Sequence, residues 1–413
     1  MNGRRTARVL AAGVLCGTLL LSAGTALADT ASPVPSPSPG AEPTSLPGVA
    51  QSLPDFRQNG CRKGSGRITT RIPWAQAYLR PEAAWPLSQG GGVTVAVVGS
   101  GVDDASGALS GRLTVAPRQY DAGPAPDCVG HGTFVAGLIA AGRVPGVGFA
   151  GIAPQARILA VGVTDQAGTT NAELLAQGIR AAVDGGARVV DIAAPAAAGS
   201  PALAAAVRYA LDKGAVVVAP ATADAPGRPG ASYPAAYPGV LAVASIGPGG
   251  TPGQDTPAGR VDLVAPGQSV MSTGPAGTGY FTATGPSCAT AFVAGAAALA
   301  LGHRPRLTGP QLVHRLESTA YHAGTAVPDP RVGYGTVDPV AAVSAVLPEE
   351  RDGAVPPALA TGDDLAMPPV AGRSAAGGAF LVGGVALAVT ALVAGAGAVL
   401  PRGRRRGWRP GGP

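Results

Sequence analysis

The interpretation of the chain starts from residues 284–299, which read Thr-Gly-Pro-Ser-Cys-Ala-Thr-Ala-Phe-Val-Ala-Gly-Ala-Ala-Ala-Leu. The alanine-rich run predicts a helix, and Pro286 suits a first helical turn, where its missing N–H costs little. Ser287 then lies at the helix N-terminus, where free backbone N–H groups and the helix dipole favour negative charge on an oxygen. Such a serine is either the N-cap of a buried helix or a nucleophile, and this segment alone leaves both open.

A second segment of the same kind lies upstream. Residues 130–137 read Gly-His-Gly-Thr-Phe-Val-Ala-Gly and again place a reactive side chain, His131, at the head of an apolar helix. Together the two segments resemble the histidine and serine blocks of the subtilisin-like serine proteases (subtilases, peptidase S8). The resemblance is closest to the mycosins, membrane-anchored subtilases associated with type VII secretion, and runs from about residue 73 to residue 343. It implies an α/β fold, a subtilisin-like sandwich with a central mostly parallel sheet, in which Ser287 is the nucleophile and His131 the general base.

The resemblance fails at the place of the third catalytic residue. The apolar run at 93–98 predicts a buried parallel strand, which in subtilases ends in an aspartate. Gly99 stands at that position here. The family aspartate orients the histidine and stabilises the imidazolium that forms, and a glycine can do neither. Ser100, Asp103 and Asp127 are the residues that could substitute for it through space.

Two further family motifs are altered. The predicted strand 189–192 continues in subtilases as Ser-Leu-Gly, whose exposed edge pairs with the substrate backbone. Here it continues as Ala-Ala-Pro, and Pro195 has no N–H to donate. The predicted strand 215–219 leads in the family to an asparagine that donates to the oxyanion. Thr222 and Ala223 lie at that place, and of the two only Thr222 carries a donor, on a shorter side chain.

The rest of the chain alternates apolar runs with helical segments, as expected for a parallel sheet covered by helices. Further strands are predicted at 158–163 and 241–246, a strand and turn at 261–267, and further helices at 171–183, 201–211 and from Thr308 onward. Asn171 is the predicted cap of the first of these helices.

Composition favours a packed core and argues against a nucleic-acid partner. The 413 residues are 46% hydrophobic and 13% charged, which suits a large apolar core more than disorder. The formal net charge of +6 is partly due to an arginine cluster near the C-terminus. No basic stripe with interleaved aromatic residues accompanies that cluster.

Both ends of the chain are predicted to be targeting segments. The start is basic, then apolar, then small-residue, as in a secretory signal, and the uncharged run near the end is long enough to span a bilayer. The predicted segments are a signal peptide (1–28), a Pro-rich N-terminal extension (29–72, with 29–54 a disordered or extended spacer), the subtilisin-like domain (73–346), a linker (347–374), a transmembrane helix (375–400) and a basic cytoplasmic tail (401–413). The positive-inside rule then predicts a single-pass plasma-membrane protein with its α/β domain extracellular.

Three cysteines remain in the exported chain. Cys288, inside a helix expected to be interior, is the natural buried thiol. The mycosin resemblance implies a disulfide between Cys61 and Cys128, which would tie the N-terminal extension to the loop before His131. Two free thiols are the alternative, which an oxidising exterior disfavours. The other histidines show no metal-ligand spacing, and no metal or other cofactor is expected.

Three functional hypotheses follow. The first is a serine endopeptidase associated with type VII secretion, with Ser287 and His131 acting on protein or peptide substrates. The second is an inactive pseudoprotease that serves as a structural or binding component of the type VII secretion membrane complex. The third is an exported membrane-anchored domain with an unrelated ligand. The resemblance favours the first hypothesis, and the altered residues favour the second.

Overall fold

The computed structural model describes residues 46–117, 126–222, 231–253, 259–322 and 327–350, all within a compact unit that ends at Glu350. The predicted signal peptide, transmembrane helix and cytoplasmic tail lie outside these residues, as do Ala223 and most of the predicted linker.

A seven-stranded parallel sheet forms the centre of the described structure. Its strands are β1 (Thr94–Gly99), β2 (Leu113–Val115), β3 (Arg157–Gly162), β4 (Val189–Ile192), β5 (Val216–Pro220), β6 (Leu241–Ile246) and β7 (Leu263–Pro266). Their spatial order is β2-β3-β1-β4-β5-β6-β7, so the chain reverses its direction of growth between β1 and β4. In open α/β sheets, sites form at the carboxyl ends of the strands beside such a reversal.

Short apolar runs predicted most of this sheet. The predicted strands at 189–192 and 241–246 are confirmed to the residue, and those at 93–98, 158–163 and 215–219 are displaced by one residue. The runs are continuous and not alternating because both faces of the strands are covered, and β4 to β7 are buried along their whole length. The short edge strand β2 has a half-exposed pattern and was not predicted.

Helices pack on both faces of the sheet. The described α-helices are α1 (Phe56–Asn59), α2 (Trp74–Leu79), α3 (His131–Ala140), α4 (Ala172–Asp184), α5 (Pro201–Asp212), α6 (Pro286–His303), α7 (Gly309–Ser318) and α8 (Pro339–Ser344). One face carries α3 and α6, and the other carries α4 and α5. Asn171 caps α4 as predicted, because its side-chain oxygen accepts from the Leu174 N–H at 2.9 Å.

The helix α6 runs through the interior of the protein. Every residue from Pro286 to Leu301 is buried, which small side chains permit because they let the helix approach its neighbours closely. A Cβ added to Gly295 would lie 2.6 Å from the Ile152 Cβ. Within the described residues α6 is the helix that has the length and hydropathy of a membrane span, and its burial identifies it as the core helix of the fold.

A hairpin that was not predicted lies within the predicted domain, and the packed unit extends past the predicted domain limits at both ends. An antiparallel hairpin of β8 (Val270–Thr273) and β9 (Tyr280–Ala283) precedes α6. At the C-terminal end, the guanidinium of the buried Arg315 pairs with Glu350 through its Nε, 2.5 Å from Oε1, and through a second nitrogen. The packed unit therefore runs to Glu350, past the predicted start of the linker at 347. At the N-terminal end, residues 46–54 contact the domain, so this part of the predicted spacer is ordered.

Candidate active site

Two helix N-termini bring the predicted serine–histidine pair together beside the ends of β1 and β4. His131 is the first residue of α3, and Ser287 lies in the first turn of α6. The imidazole Nε2 lies 3.0 Å from the Ser287 Oγ, a hydrogen-bond distance. Both side chains are buried, with 4% of His131 and 0% of Ser287 exposed. This contact is the one that a serine nucleophile and its general base require.

Close backbone contacts hold α3 against the loop that follows β1. A Cβ on Gly132 would lie 2.0 Å from the Gly101 carbonyl oxygen, and a Cβ on Gly101 would lie 2.1 Å from the Pro126 carbonyl oxygen. Gly101 also has a φ of +104°, which L side chains rarely adopt. The glycines that flank His131 and follow Gly99 thus position the histidine helix through packing.

No carboxylate of a described residue is hydrogen-bonded to His131. For Nε2 to accept the Ser287 proton, the proton of the neutral ring must sit on Nδ1. Nδ1 is buried and has no hydrogen-bond partner among the described residues. Burial lowers the pKa of His131 to about 4, the Ala193 carbonyl beside the ring opposes this shift, and the positive charge of Arg62 adds to it. The ring is therefore neutral and poorly able to hold an added proton.

Gly99 ends β1 at the place predicted for the missing carboxylate. It pairs with Gly162 of β3, and a Cβ built on it would lie 3.0 Å from the Ala193 Cβ. A side chain at this position would therefore be in tight contact with Ala193. Gly99 contributes no acceptor to the histidine, as the sequence predicted.

Asp127, one of the three possible substitutes, is bound elsewhere. Its Oδ1 accepts from the Gly130 N–H at 2.8 Å, and its Oδ2 accepts from the Thr133 N–H at 2.8 Å and the Thr133 hydroxyl at 2.7 Å. Burial raises the pKa of Asp127, and these hydrogen bonds oppose that shift. The carboxylate therefore caps the N-terminus of α3, and it supports His131 through the helix and not through the ring.

Ser100 and Asp103 are also engaged with other groups. The Ser100 hydroxyl accepts from the Gly132 N–H at 2.9 Å. The Asp103 carboxylate accepts from the N–H groups of Ala105 at 2.9 Å and Ala276 at 2.8 Å. Neither is bonded to the imidazole, so none of the three possible substitutes completes the triad in this structure.

The oxyanion and substrate positions are altered as the sequence indicated. Thr222 is buried near the end of β5, and its hydroxyl has no hydrogen-bond partner within the described ranges. Ala223 lies outside those ranges. Pro195 lies in the segment beyond the carboxyl end of β4, an inner strand between β1 and β5, and that segment therefore lacks a backbone donor at this point.

Two side chains near the site were not identified from sequence. Asp191 lies in the middle of β4 with neither carboxyl oxygen hydrogen-bonded to a described residue. Burial raises its pKa to about 8, and the nearby Thr290 hydroxyl offsets part of that shift. An aspartate inside the apolar run Val-Val-Asp-Ile is the sequence feature from which Asp191 could have been identified. The second side chain is Gln51, whose Nε2 donates to the Ala193 carbonyl oxygen at 3.0 Å.

The predicted disulfide is confirmed. Cys61 and Cys128 are bonded, with their Cα atoms 4.5 Å apart, and the bridge ties the N-terminal extension to the loop before His131. Cys288 is buried next to Ser287, as predicted, and is not part of the bridge. In the part of the chain that the structure describes, no group of three or more His, Cys, Asp or Glu side chains is placed to hold a metal ion.

Sequence comparisons agree with this geometry. Residues 90–335 match the sequence profile of the Subtilase family, Peptidase S8. Mycosin-4 of Mycobacterium tuberculosis is 34% identical over 395 residues, which cover 83% of this chain and 85% of mycosin-4. Subtilisin E of Bacillus subtilis is 37% identical over 240 residues, which cover 57% of this chain and 62% of that protein. The chain thus spans less than two thirds of the length of several subtilisins that it matches.

Solved structures give the same result. The crystal structure of MycP1 from Mycobacterium smegmatis is similar with a TM-score of 0.59 and 30% identity, covering 75% of this chain and 92% of that one. The structure of the MycP3 protease from the type VII (ESX-3) secretion system is similar with a TM-score of 0.60 and 32% identity, covering 76% and 98%. Since the family match spans more than half of the chain and includes both His131 and Ser287, the chain belongs to the subtilase family.

Proposed function

We propose that this chain is a mycosin-type subtilase domain of a type VII secretion machinery in which peptide binding, and not rapid hydrolysis, is the main task. The observation that carries this proposal is the buried His131 Nδ1, which has no carboxylate bonded to it among the described residues. A histidine that takes a proton from Ser287 becomes a buried imidazolium, and such a charge needs an acceptor to be stable.

The size of the expected loss supports binding over turnover. Removing the charge of the triad aspartate costs about 10⁴ in kcat in a serine protease that has the same triad on an unrelated fold. Removing one oxyanion-hole donor costs about 10²–10³ in kcat. The two losses need not add, because both act on the same transition state. Either loss alone leaves a slow enzyme.

A weak serine endopeptidase is the second candidate, and one observation favours it. The His131 Nε2 and Ser287 Oγ remain at 3.0 Å, in contact at the N-terminus of α6. Backbone N–H groups at that terminus stabilise negative charge without any side chain. In this reading Ser287 attacks a peptide carbonyl carbon, its proton passes to Nε2, and the leaving amine takes that proton back.

The cellular setting is proposed on sequence pattern and on relatives. MycP1 is an essential component of the type VII (ESX-1) secretion system, and the MycP3 protease is from the type VII (ESX-3) secretion system. The match to mycosin-4 covers 83% of this chain and 85% of mycosin-4. Together with the apolar segment at 375–400 and the basic tail, this supports a single-pass plasma-membrane protein with the subtilase domain outside and a secretion complex as partner.

Labelling of the full-length chain with a small fluorophosphonate, which reports an activated serine, tests the proposal. We expect labelling of the parent chain to be no more than a few per cent of that of an active subtilisin at equal concentration. The matched control is Ser287→Ala, which sets the background. Labelling of the parent as fast as the active subtilisin would overturn the proposal in favour of an efficient endopeptidase.

A further inference from the structure

A side chain at the end of β1 would point to the sheet face that carries α3 and α6. Val95 and Val97 pack in the core on that face, and side chains alternate along a strand, so position 99 faces the same way. Apart from the residues next to it in the chain, a Cβ on Gly99 would have the Ala193 Cβ at 3.0 Å and two further Ala193 atoms at 3.9 Å as its closest described neighbours. Beyond the Ala193 methyl, the first atom of a side chain at position 99 meets no close contact among the described residues.

His131 supplies a buried donor next to this position. Its Nε2 lies 3.0 Å from the Ser287 Oγ, so the neutral ring carries its proton on Nδ1, which is buried without a hydrogen-bond partner among the described residues. The Ala193 carbonyl lies beside the ring, but it is uncharged and already accepts from the Gln51 amide at 3.0 Å. Ala193 is thus a neighbour of both Gly99 and the imidazole, which places the donor next to the position without a side chain.

The charges around the imidazole favour an anion. The positive charge of Arg62 acts on the ring, and His131 is the first residue of α3, whose N-terminus carries a partial positive charge. The Asp127 carboxylate, a negative group at this helix end, is offset by three hydrogen bonds from Gly130 and Thr133. A second carboxylate beside Nδ1 would therefore be attracted by Arg62 and by the helix dipole.

We propose that the space between Gly99 and the His131 Nδ1 is a binding site for a small free carboxylate, of the size of formate or acetate, which accepts from the Nδ1–H and raises the reactivity of Ser287. Acetate is an aspartate side chain without its bond to the backbone, so its size matches the group that position 99 lacks. Ser100 is partly exposed, which brings solvent within one residue of the site. This inference goes beyond the proposed function, because it makes the reactivity of the serine depend on the carboxylate concentration.

The bound carboxylate acts while a proton moves. When a fluorophosphonate reacts, the Ser287 Oγ bonds to phosphorus, fluoride leaves with the electron pair of the P–F bond, and the Oγ proton passes to the His131 Nε2. The ring is then an imidazolium that keeps its Nδ1 proton, and the carboxylate accepts from Nδ1 and balances the new charge. The carboxylate is not consumed, so its effect saturates with concentration and is reversed when it is removed.

The test follows the fluorophosphonate labelling rate of the full-length chain in sodium formate, acetate, propionate and benzoate, each compared with sodium chloride at the same ionic strength. Gly99→Asn is the matched variant, because its side chain fills the space with a group of the size of aspartate that has no charge. Nitrogen NMR of the His131 ring in the Ser287→Ala chain is the second readout, and it reports binding of the carboxylate without any reaction of the serine.

We expect formate and acetate to raise the labelling rate of the parent chain by about 10- to 100-fold at roughly 1 M. The rise stays below the roughly 10⁴ that a linked aspartate contributes, because a free ion loses translational freedom when it binds. Propionate and benzoate should act like chloride, since the Cβ position is already close to Ala193. Gly99→Asn should not respond to formate or acetate. Both ions should shift the Nδ1 resonance of the Ser287→Ala chain over the same concentration range.

Three results would overturn the inference. The first is a labelling rate of the parent chain that is the same in formate, acetate and chloride. The second is an equal rise with benzoate or in Gly99→Asn, because neither can depend on the space beside His131. The third is a shifted Nδ1 resonance without faster labelling, because the anion would then bind without assisting Ser287. The proposed function is judged separately, since it is overturned by a parent chain that labels as fast as an active subtilisin in chloride alone.

Discussion

The helix side and the strand side of the site differ in what they have kept. On the helix side, α3 and α6 deliver His131 and Ser287 to within 3.0 Å of each other, and Asp127 caps α3 with three hydrogen bonds. On the strand side, the ends of β1 and β5 present Gly99 and a Thr222 hydroxyl that is not hydrogen-bonded to any described residue.

The difference separates what the fold needs from what catalysis needs. The helix-side residues also hold the protein together, since Gly132 allows α3 to approach the Gly101 carbonyl and Asp127 satisfies buried donors. An aspartate at Gly99 and an asparagine at the oxyanion position would serve the chemistry alone. The fold forms without these two side chains. What remains is the Ser287–His131 pair, without the carboxylate and the amide that support it in other subtilases.

The largest expected effect comes from restoring the acid with Gly99→Asp. A carboxylate at the end of β1 would accept from the His131 Nδ1–H, raise the pKa of His131 above about 4, and increase the fluorophosphonate labelling rate by up to about 10⁴-fold. The labelling rate and the histidine titration by NMR are the measurements. The Ala193 Cβ, 3.0 Å from the new Cβ, must move by a few tenths of an ångström.

Gly99→Asn is the matched control for that restoration. It has the same size and the same contact with Ala193, but its amide does not supply the charge that stabilises the imidazolium. We expect Gly99→Asn to label at the parent rate. Equal labelling rates for the two variants would show that the missing carboxylate does not limit the reactivity of Ser287. The glycine at the end of β1 would then not explain a low activity.

The next largest expected effect is on the pH dependence of stability and comes from Asp191 on β4. Burial raises the pKa of Asp191 to about 8. The unfolded chain releases this proton near pH 4, so between pH 4 and 8 the folded state binds more protons and the stability falls as the pH rises. Asp191→Asn removes this dependence. The free energy of unfolding of the variant, relative to the parent, should rise by about 1.4 kcal/mol for each unit between pH 5 and pH 7.

Denaturant unfolding of both chains at pH 5, 6 and 7 measures this difference. Above about pH 8 it should become constant, because both states of the parent are then ionised at Asp191. A difference that does not depend on pH would show that Asp191 is ionised in the folded protein and is stabilised by a cation or by a group or water molecule that donates hydrogen bonds to it.

Asp127→Ala tests the helix side of the site by removing the carboxylate that caps α3. The change leaves the Gly130 N–H, the Thr133 N–H and the Thr133 hydroxyl without their acceptor, and a lost N-cap acceptor with buried donors costs about 2 kcal/mol or more. Denaturant unfolding measures the loss. Asp212→Ala, at an exposed position of α5, should change stability by less than about 0.5 kcal/mol. Equal losses in the two variants would contradict the capping role.

The sequence predicted the parts of this site that depend on local pattern. Apolar runs predicted β4 and β6, Asn171 predicted its cap, and the Gly-His-Gly and Gly-Pro-Ser segments predicted the pair at the helix N-termini. These features depend on residues that are close in sequence, where periodicity and turn chemistry carry information.

The contacts of Gln51 and the environment of Asp191 could not be predicted in the same way. Gln51 binds the carbonyl of a residue 142 positions away, and its Pro- and Ser-rich surroundings favoured a spacer. Asp191 is an ionisable residue within an apolar strand, but its burial without a hydrogen-bonded partner among the described residues depends on α6 packing over β4. Long-range packing decides both, and no local pattern reports it.

The smallest expected effect comes from Thr222→Val, which removes the hydroxyl and keeps the shape. A buried hydroxyl without a partner among the described residues contributes nothing to stability, so the variant should match the parent or exceed it by about 1 kcal/mol or less. The labelling rate, measured in the Gly99→Asp chain where it is large enough to follow, should stay the same. A fall of about 10²-fold would assign Thr222 as the donor to the oxyanion. The strand side would then retain one catalytic group, at the end of β5, and the catalytic side chain would be missing only at the end of β1.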